Sequence, residues 1–248
     1  MNFYKNFREV ITKKILKTQN EIPGRTKAIL ELFNAYVSRG WLLKKFLDVG
    51  CANGERTMQL VEYLGLPSKS VFGIEVRDDY IREAKKSLQV IKVDIERGHF
   101  PFADNSFQMV VCNQVLEHVK NFMPVINEIN RVLSKGGFAI IGVPNLGHLA
   151  NRLYLLFGKQ PPCLNLDSSH VRGFVHSELL KILRRWKNWK VLGCNGSTMY
   201  PVPYPLCDWL AKHFVNLSGY SFYILKKNIA GSYSDISSPL QAISNTKS

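Results

Sequence analysis

Three acids, Asp48, Glu75 and Asp94, stand at or just past the ends of short apolar runs, and Gly50-Cys51-Ala52-Asn53-Gly54 follows the first almost at once. Small residues at such a point let a ligand pass close to the backbone. Glu75, ending the second run, is placed to accept from both hydroxyls of a ribose. Asp94 can take the amino group of an adenine. Asp48 sets the charge at the other end, where it would repel a pyrophosphate and attract a cation. The set describes an adenosine compound with a positive pole. A dinucleotide dehydrogenase site fits less well, because the loop lacks the third glycine of G-x-G-x-x-G.

For these acids to converge they must sit at the carboxyl ends of neighbouring parallel strands, where open α/β sheets bind their ligands. The chain has that rhythm. Phe46–Val49, Ser70–Val76, Val90–Val93, Gln108–Cys112 and Phe138–Val143 read as strands, with helices expected over Arg56–Leu64, Asp79–Leu88 and Val125–Leu133. Strands and helices alternating at this spacing imply right-handed βαβ units. Beyond Pro144 come a helix at Leu149–Phe157, a loop at Gly158–Ser169 and a helix at Glu178–Trp186 that Ser177 can cap. Strands at Lys190–Leu192 and Ser221–Leu225 flank a Pro-rich insertion with a short helix. Residues 3–17 have amphipathic helix spacing, and a second helix is expected over Arg25–Val37. Residues 229–248, rich in Ser and Asn, read as a disordered tail.

The stretches LDVGCANG, GIEV, VDIERGHFPFADNSFQMVVCNQVLEHV and RVLSKGGFAIIGVPN resemble, in order, the motifs of the class I S-adenosylmethionine-dependent methyltransferases. The match spans roughly residues 46–144 and is similar to the subgroup with a PF-x-D-x-SF turn and a VLEHV motif. The resemblance implies a Rossmann-like α/β sheet of seven strands, mostly parallel with an antiparallel last strand and helices on both faces. It implies S-adenosyl-L-methionine as cofactor. By position, Asp48, Gly50, Cys51, Ala52 and Gly54 would hold its methionine part, Glu75 with Val76 the ribose, and Asp94 with Ile95 the adenine. Asn113 and Gln114 would contact the methionine side. Ala52 stands where many members have a second glycine. Gln108 replaces an acid often seen there, and that position reads as structural. The domain is expected over 46–228, with helices that pack or form a lid over 1–45 and a substrate-side insertion at about 145–215.

Methyl transfer from a sulfonium is an in-line displacement with a neutral leaving group, so alignment and exclusion of water are the main tasks. A base is needed only where the acceptor must lose a proton. His118, after the fourth strand, and His170, at the end of a long loop, are the catalytic candidates. Arg172, Tyr200 and Tyr204 are candidate substrate contacts, and His176 reads as structural. No metal is required, and no ligand cluster is visible in the sequence.

The net charge of +14 sits entirely in the flanks: residues 1–45 and 168–248 each hold ten Lys/Arg against three acids, whereas 46–167 balance. Such flanks suit solubility, an anionic membrane surface or an acidic substrate, and also nucleic acid. The last is disfavoured by the lack of an aromatic stacking platform. The five scattered cysteines form no CxxC pair, and the N-terminus lacks the compact apolar core of a secretory signal. A cytoplasmic place, with or without membrane association, is expected. The acceptor is expected to be small, lipid-linked or glycan-linked, with oxygen favoured as the methylated atom. An RNA methyltransferase and a non-catalytic protein that binds S-adenosylmethionine remain the alternatives.

Overall fold

A computed structural model describes residues 24–38, 41–203 and 206–228. Seven strands, β1 (Phe46–Val49), β2 (Val71–Glu75), β3 (Gln89–Lys92), β4 (Phe107–Asn113), β5 (Leu133–Pro144), β6 (Trp189–Ser197) and β7 (Tyr220–Lys227), form one sheet in the order 3-2-1-4-5-7-6. The pairs among β1 to β5 are parallel, and β7 runs antiparallel between β5 and β6. Chain order reverses on either side of β1, so β1 and β4 part at their carboxyl ends and open a crevice there.

Alternate strand residues feed two apolar layers, as the two-residue side-chain period requires. Leu47, Val49, Val110, Cys112, Ala139, Ile141, Tyr223 and Leu225 face one layer, closed by α4 (Phe122–Val132) and α6 (His176–Arg185). Phe46, Met109, Val111, Phe138, Ile140, Phe222 and Ile224 face the other, covered by α1 (Gly24–Tyr36), α2 (Glu55–Leu64) and α3 (Asp78–Ala84). Helices thus cover both faces. On α6 the run of basic residues stays outside while Leu179 and Leu183 are buried.

α1 is a packing element on β6 and β7. Asn195 Nδ2 donates to Ala28 O and Glu31 Oε2 at 3.4 and 3.0 Å, and a Cβ at Gly193 would collide with the Tyr36 ring. The expected helix over residues 3–17 and the tail over 229–248 lie outside the described residues. Four details depart from expectation. α3 ends at Ala84, four residues short of Leu88. α6 begins at His176, with Val175 at its N-cap and no side-chain cap, so Ser177 lies inside the first turn. β6 runs on through Ser197, because α1 buries a stretch whose glycines and Asn195 do not read as strand. β5 starts at Leu133, and its register on β4 shifts between Phe107 and Met109.

The turn before β4 is held by one guanidinium. Arg131 donates to Phe100 O and Phe102 O at 2.9 and 2.8 Å and pairs with Glu128 and Asp104 at 2.8 and 2.7 Å. Phe107 is thereby seated in the core. Gln108 accepts from Lys45 N at 2.8 Å and donates to Ser134 Oγ at 3.2 Å, a structural use of that position. His176 stacks on Tyr223 with its Nδ1 3.0 Å from the phenol oxygen, and burial lowers its pKa to about 4.

Candidate active site

The chain leaves β1 through backbone angles that L side chains seldom adopt. Gly50 has φ +73° and Gly54, at the N-terminus of α2, φ +82°. A Cβ on Gly50 would run into Val115, and one on Gly54 would come within 2.6 Å of Leu88 Cδ2. Ala52 (φ +47°) is also left-handed, at a cost of roughly 1–2 kcal/mol for a residue with a Cβ. Its N–H donates to Glu75 Oε2 at 2.9 Å, which holds it there. The Gly50 and Cys51 N–H groups both donate to Ile74 O at 2.8 and 3.2 Å. The loop is thus fastened to the end of β2.

Asp48 is buried, with Thr57 Oγ1 donating to its Oδ2 at 2.5 Å. Burial pushes its carboxyl up to about 7; the Thr57 bond opposes the rise and the Glu75 charge adds to it. A cation arriving beside this group would be attracted and would pull the pKa down again. Glu75 closes β2, where its Oε1 accepts from the Val76 and Arg77 N–H groups at 2.8 and 3.1 Å. With the Ala52 bond, three of its roughly four acceptor positions are filled, leaving one on Oε2. Val76 beside it is half exposed. Asp94 lies two residues past β3, exposed, accepting from Glu96 N at 3.1 Å and paired with Arg97 at 3.2 Å. Ile95 packs against the apolar layer.

Across the crevice, Asn113 ends β4 and Gln114 (φ +60°) donates its N–H to Gly142 O at 2.8 Å. A Cβ at Gly142 would sit 2.5 Å from Asn113 Oδ1, so the glycine makes room for that amide. Asn113 Oδ1 and Gln114 Nε2 are buried without a hydrogen-bond partner among the described residues. Such atoms cost about 1–3 kcal/mol each. Orphaned amide atoms, a buried acid that only Thr57 bonds among the described residues and a loop with no room for side chains suit a polar, cationic nucleoside.

A single 3-10 turn, Leu116–His118, follows. Glu117 is only 1% exposed, and neither carboxylate oxygen has a partner among the described residues. Burial pushes its carboxyl up to about 7, opposed by a bond to its own backbone and by the Arg25 charge. Its carbonyl accepts the N–H groups of Val171 and Arg172 at 2.9 and 3.1 Å, which brings the loop after α5 (Leu149–Leu156) over the crevice. The His118 and His170 rings meet edge-on at 4.7 Å. Their Nδ1 atoms lie 3.1 Å from Ser169 O and 2.8 Å from Cys163 O. Burial raises the pKa of the Cys112 thiol, and the Glu117 and Asp48 charges add to the rise, so both carboxylates lie within electrostatic reach of the end of β4.

Glu117, His118 and His170 thus bring together three groups whose ligand atoms lie within 4.8 Å of one another, where the sequence shows no ligand cluster. His170 arrives on a loop from far along the chain. Glu117 was signalled only by an acid set inside the apolar run Val115, Leu116 and Val119. Thr57 and Arg25 carried no signal. Arg172 donates to Lys120 O at 2.6 Å with its guanidinium 5.4 Å from the Phe122 ring, so it anchors the loop. Tyr200 is 70% exposed, and Tyr204 lies outside the described residues. A cavity of about 570 Å³, lined by residues that include Arg152, Val175, His213 and Val215, involves none of these side chains.

Comparison with known proteins agrees with this geometry. Residues 47–141 match a family model described as a methyltransferase domain. The chain is 30% identical over 122 residues to the bifunctional methionine biosynthesis protein MetXA/MetW of Rhodopirellula baltica, covering 46% of this chain and 19% of that protein. It is 33% identical over 100 residues to demethylmenaquinone methyltransferase of Staphylococcus aureus, covering 39% of this chain and 41% of that one. The chain therefore spans less than half the length of these curated relatives. In fold it resembles an S-adenosylmethionine-dependent methyltransferase of Mesorhizobium loti, with TM-score 0.55 at 15% identity over 81% of this chain and 98% of the other.

Proposed function

From the match of residues 47–141 to a methyltransferase domain and the geometry of the crevice, we propose that the chain is a class I S-adenosylmethionine-dependent methyltransferase that methylates a hydroxyl oxygen of an acceptor molecule. Asp48 would hold the cofactor's ammonium, Glu75 its ribose, Asp94 and Ile95 its adenine, and Asn113 and Gln114 the methionine side. The bound cofactor supplies an electrophilic methyl group. The chain's own task is to align an acceptor with that group, exclude water and remove a proton from the acceptor. The observation that carries the choice of oxygen is the Glu117–His118–His170 cluster at the mouth of the crevice. A hydroxyl must give up its proton as it is methylated, and this cluster can take a proton or stabilise its loss.

A lipid-linked form of that acceptor is favoured by α5 and the loop after it. Leu155, Leu156, Phe157 and Leu166 are 57%, 75%, 73% and 97% exposed. Large exposed apolar side chains of this kind suit docking to an apolar partner or a lipid surface. This rim adjoins the cluster, because Asn151 of α5 donates to Cys163 Sγ at 3.3 Å and the Cys163 carbonyl receives His170. Among the described residues no helix is long and apolar enough to cross a membrane, so the rim would rest on a membrane surface. The test is transfer of radiolabelled methyl from S-adenosylmethionine to host extract fractions separated into lipid, glycan, RNA and protein. Label in a lipid or small-molecule hydroxyl ether is expected; label confined to RNA or protein would overturn the reading.

A further inference from the structure

The two imidazoles and the buried carboxylate have the features of a ligand set. A carbonyl oxygen only accepts, so the contacts to Ser169 O and Cys163 O put the proton of each ring on Nδ1 and leave the Nε2 lone pair free. Metal-ligating histidines are oriented in this way, with the second nitrogen donating to a backbone carbonyl. Glu117 supplies the charge. Its carboxylate is buried with both oxygens unpartnered among the described residues, and an unpaired buried carboxylate is strongly disfavoured unless a cation meets it. Arg25 acts on it through its charge and makes no hydrogen bond to it.

We propose that Glu117, His118 and His170 bind one divalent first-row transition cation, of the Mn²⁺, Fe²⁺, Co²⁺ or Zn²⁺ class. Ligands about 2.0–2.2 Å from such an ion stand roughly 3–3.5 Å apart. The three groups already lie within 4.8 Å of one another, and small side-chain rotations close the remainder. Two imidazoles select against Mg²⁺ and Ca²⁺, which prefer oxygen ligands throughout. Three protein ligands leave coordination positions open. The cluster follows the end of β4, beside the strand that carries Asp48, so an open position can face the acceptor.

The role of the ion rests on the hydroxyl-methylation reading. An acceptor hydroxyl held at an open position becomes more acidic. Its O–H bond breaks, with the proton passing to solvent. The oxygen then forms the O–CH3 bond as the S–CH3 bond breaks, and that electron pair stays on a neutral thioether. No oxidant or reductant enters.

The experiment is Mn²⁺ titration of chelator-stripped full-length protein, followed by the loss of the free-ion electron paramagnetic resonance signal. It is paired with calorimetry of S-adenosylmethionine binding on the same samples. Near one ion per chain is expected, with affinity weakened about tenfold or more in Glu117→Gln and in His170→Ala. Unchanged cofactor binding in His170→Ala would show that this variant is folded. Substoichiometric Mn²⁺ and Zn²⁺ binding, or equal affinity in wild type and both variants, would overturn the site. Methyl transfer that persists in excess chelator would also overturn it while leaving the hydroxyl reading intact. Stoichiometric binding without any cofactor binding would support the site and remove the methyltransferase reading instead.

Discussion

Replacing Glu75 by Gln tests the cofactor crevice at its most specified point. The native carboxylate accepts N–H groups on both sides, Val76 and Arg77 on Oε1 and Ala52 on Oε2. A glutamine keeps the size but offers one acceptor and one donor. If its oxygen serves Val76 and Arg77, its NH2 confronts the Ala52 N–H, a donor against a donor. That mismatch costs about 1–3 kcal/mol and acts on a loop residue already in the left-handed region. The free acceptor position on Oε2 is lost as well, and with it a partner for a ribose hydroxyl. Together these predict cofactor binding weaker by roughly 10- to 100-fold, or about 1.4–2.8 kcal/mol. Titration calorimetry with S-adenosylmethionine measures it, with Asp79→Asn as the charge control, since Asp79 is exposed and pairs with Arg77. Affinity within threefold of wild type in Glu75→Gln would refute both the mismatch argument and the ribose assignment.

Two further outcomes follow from the same loop. Asp48 has its carboxyl raised to about 7 without ligand, and a bound ammonium favours the ionised form, so binding releases a proton whenever Asp48 starts protonated. Cofactor affinity should therefore fall as pH drops below about 7, and calorimetry at several pH values should show Asp48→Asn binding weakly with no such slope. Gly50→Ala should destabilise the fold by at least about 1–2 kcal/mol from its positive φ alone, and by more from the collision with Val115; urea unfolding midpoints measure it, and an unchanged midpoint would mean that the loop adapts freely.

What could be read from the chain divides along physical lines. β1 occupies the expected residues 46–49, and Glu75 ends β2 as anticipated, because both are set by local patterns: for β1 a buried apolar run followed by a glycine turn, for β2 an apolar run closed by an acid just before a helix. The extension of β6 to Ser197 was not legible, since Gly193, Asn195 and Gly196 become strand only once α1 lies over them. The proposed cofactor residues each belong to a local motif. The Glu117–His118–His170 cluster was not legible, because it depends on where a long loop lands. The Glu117 carbonyl decides that landing, and no periodicity reports it.

That carbonyl has a mechanical consequence. It receives the N–H groups of both Val171 and Arg172, while the Arg172 side chain fastens to Lys120 O on the same turn. Each such bond is worth about 0.5–1.5 kcal/mol net, so lifting the loop breaks a latch of a few kcal/mol rather than a loose strap. His170 cannot leave the crevice by the loop's opening without freeing the turn that carries Glu117 and His118. Opening of the loop and disassembly of the three-residue cluster would therefore be one event.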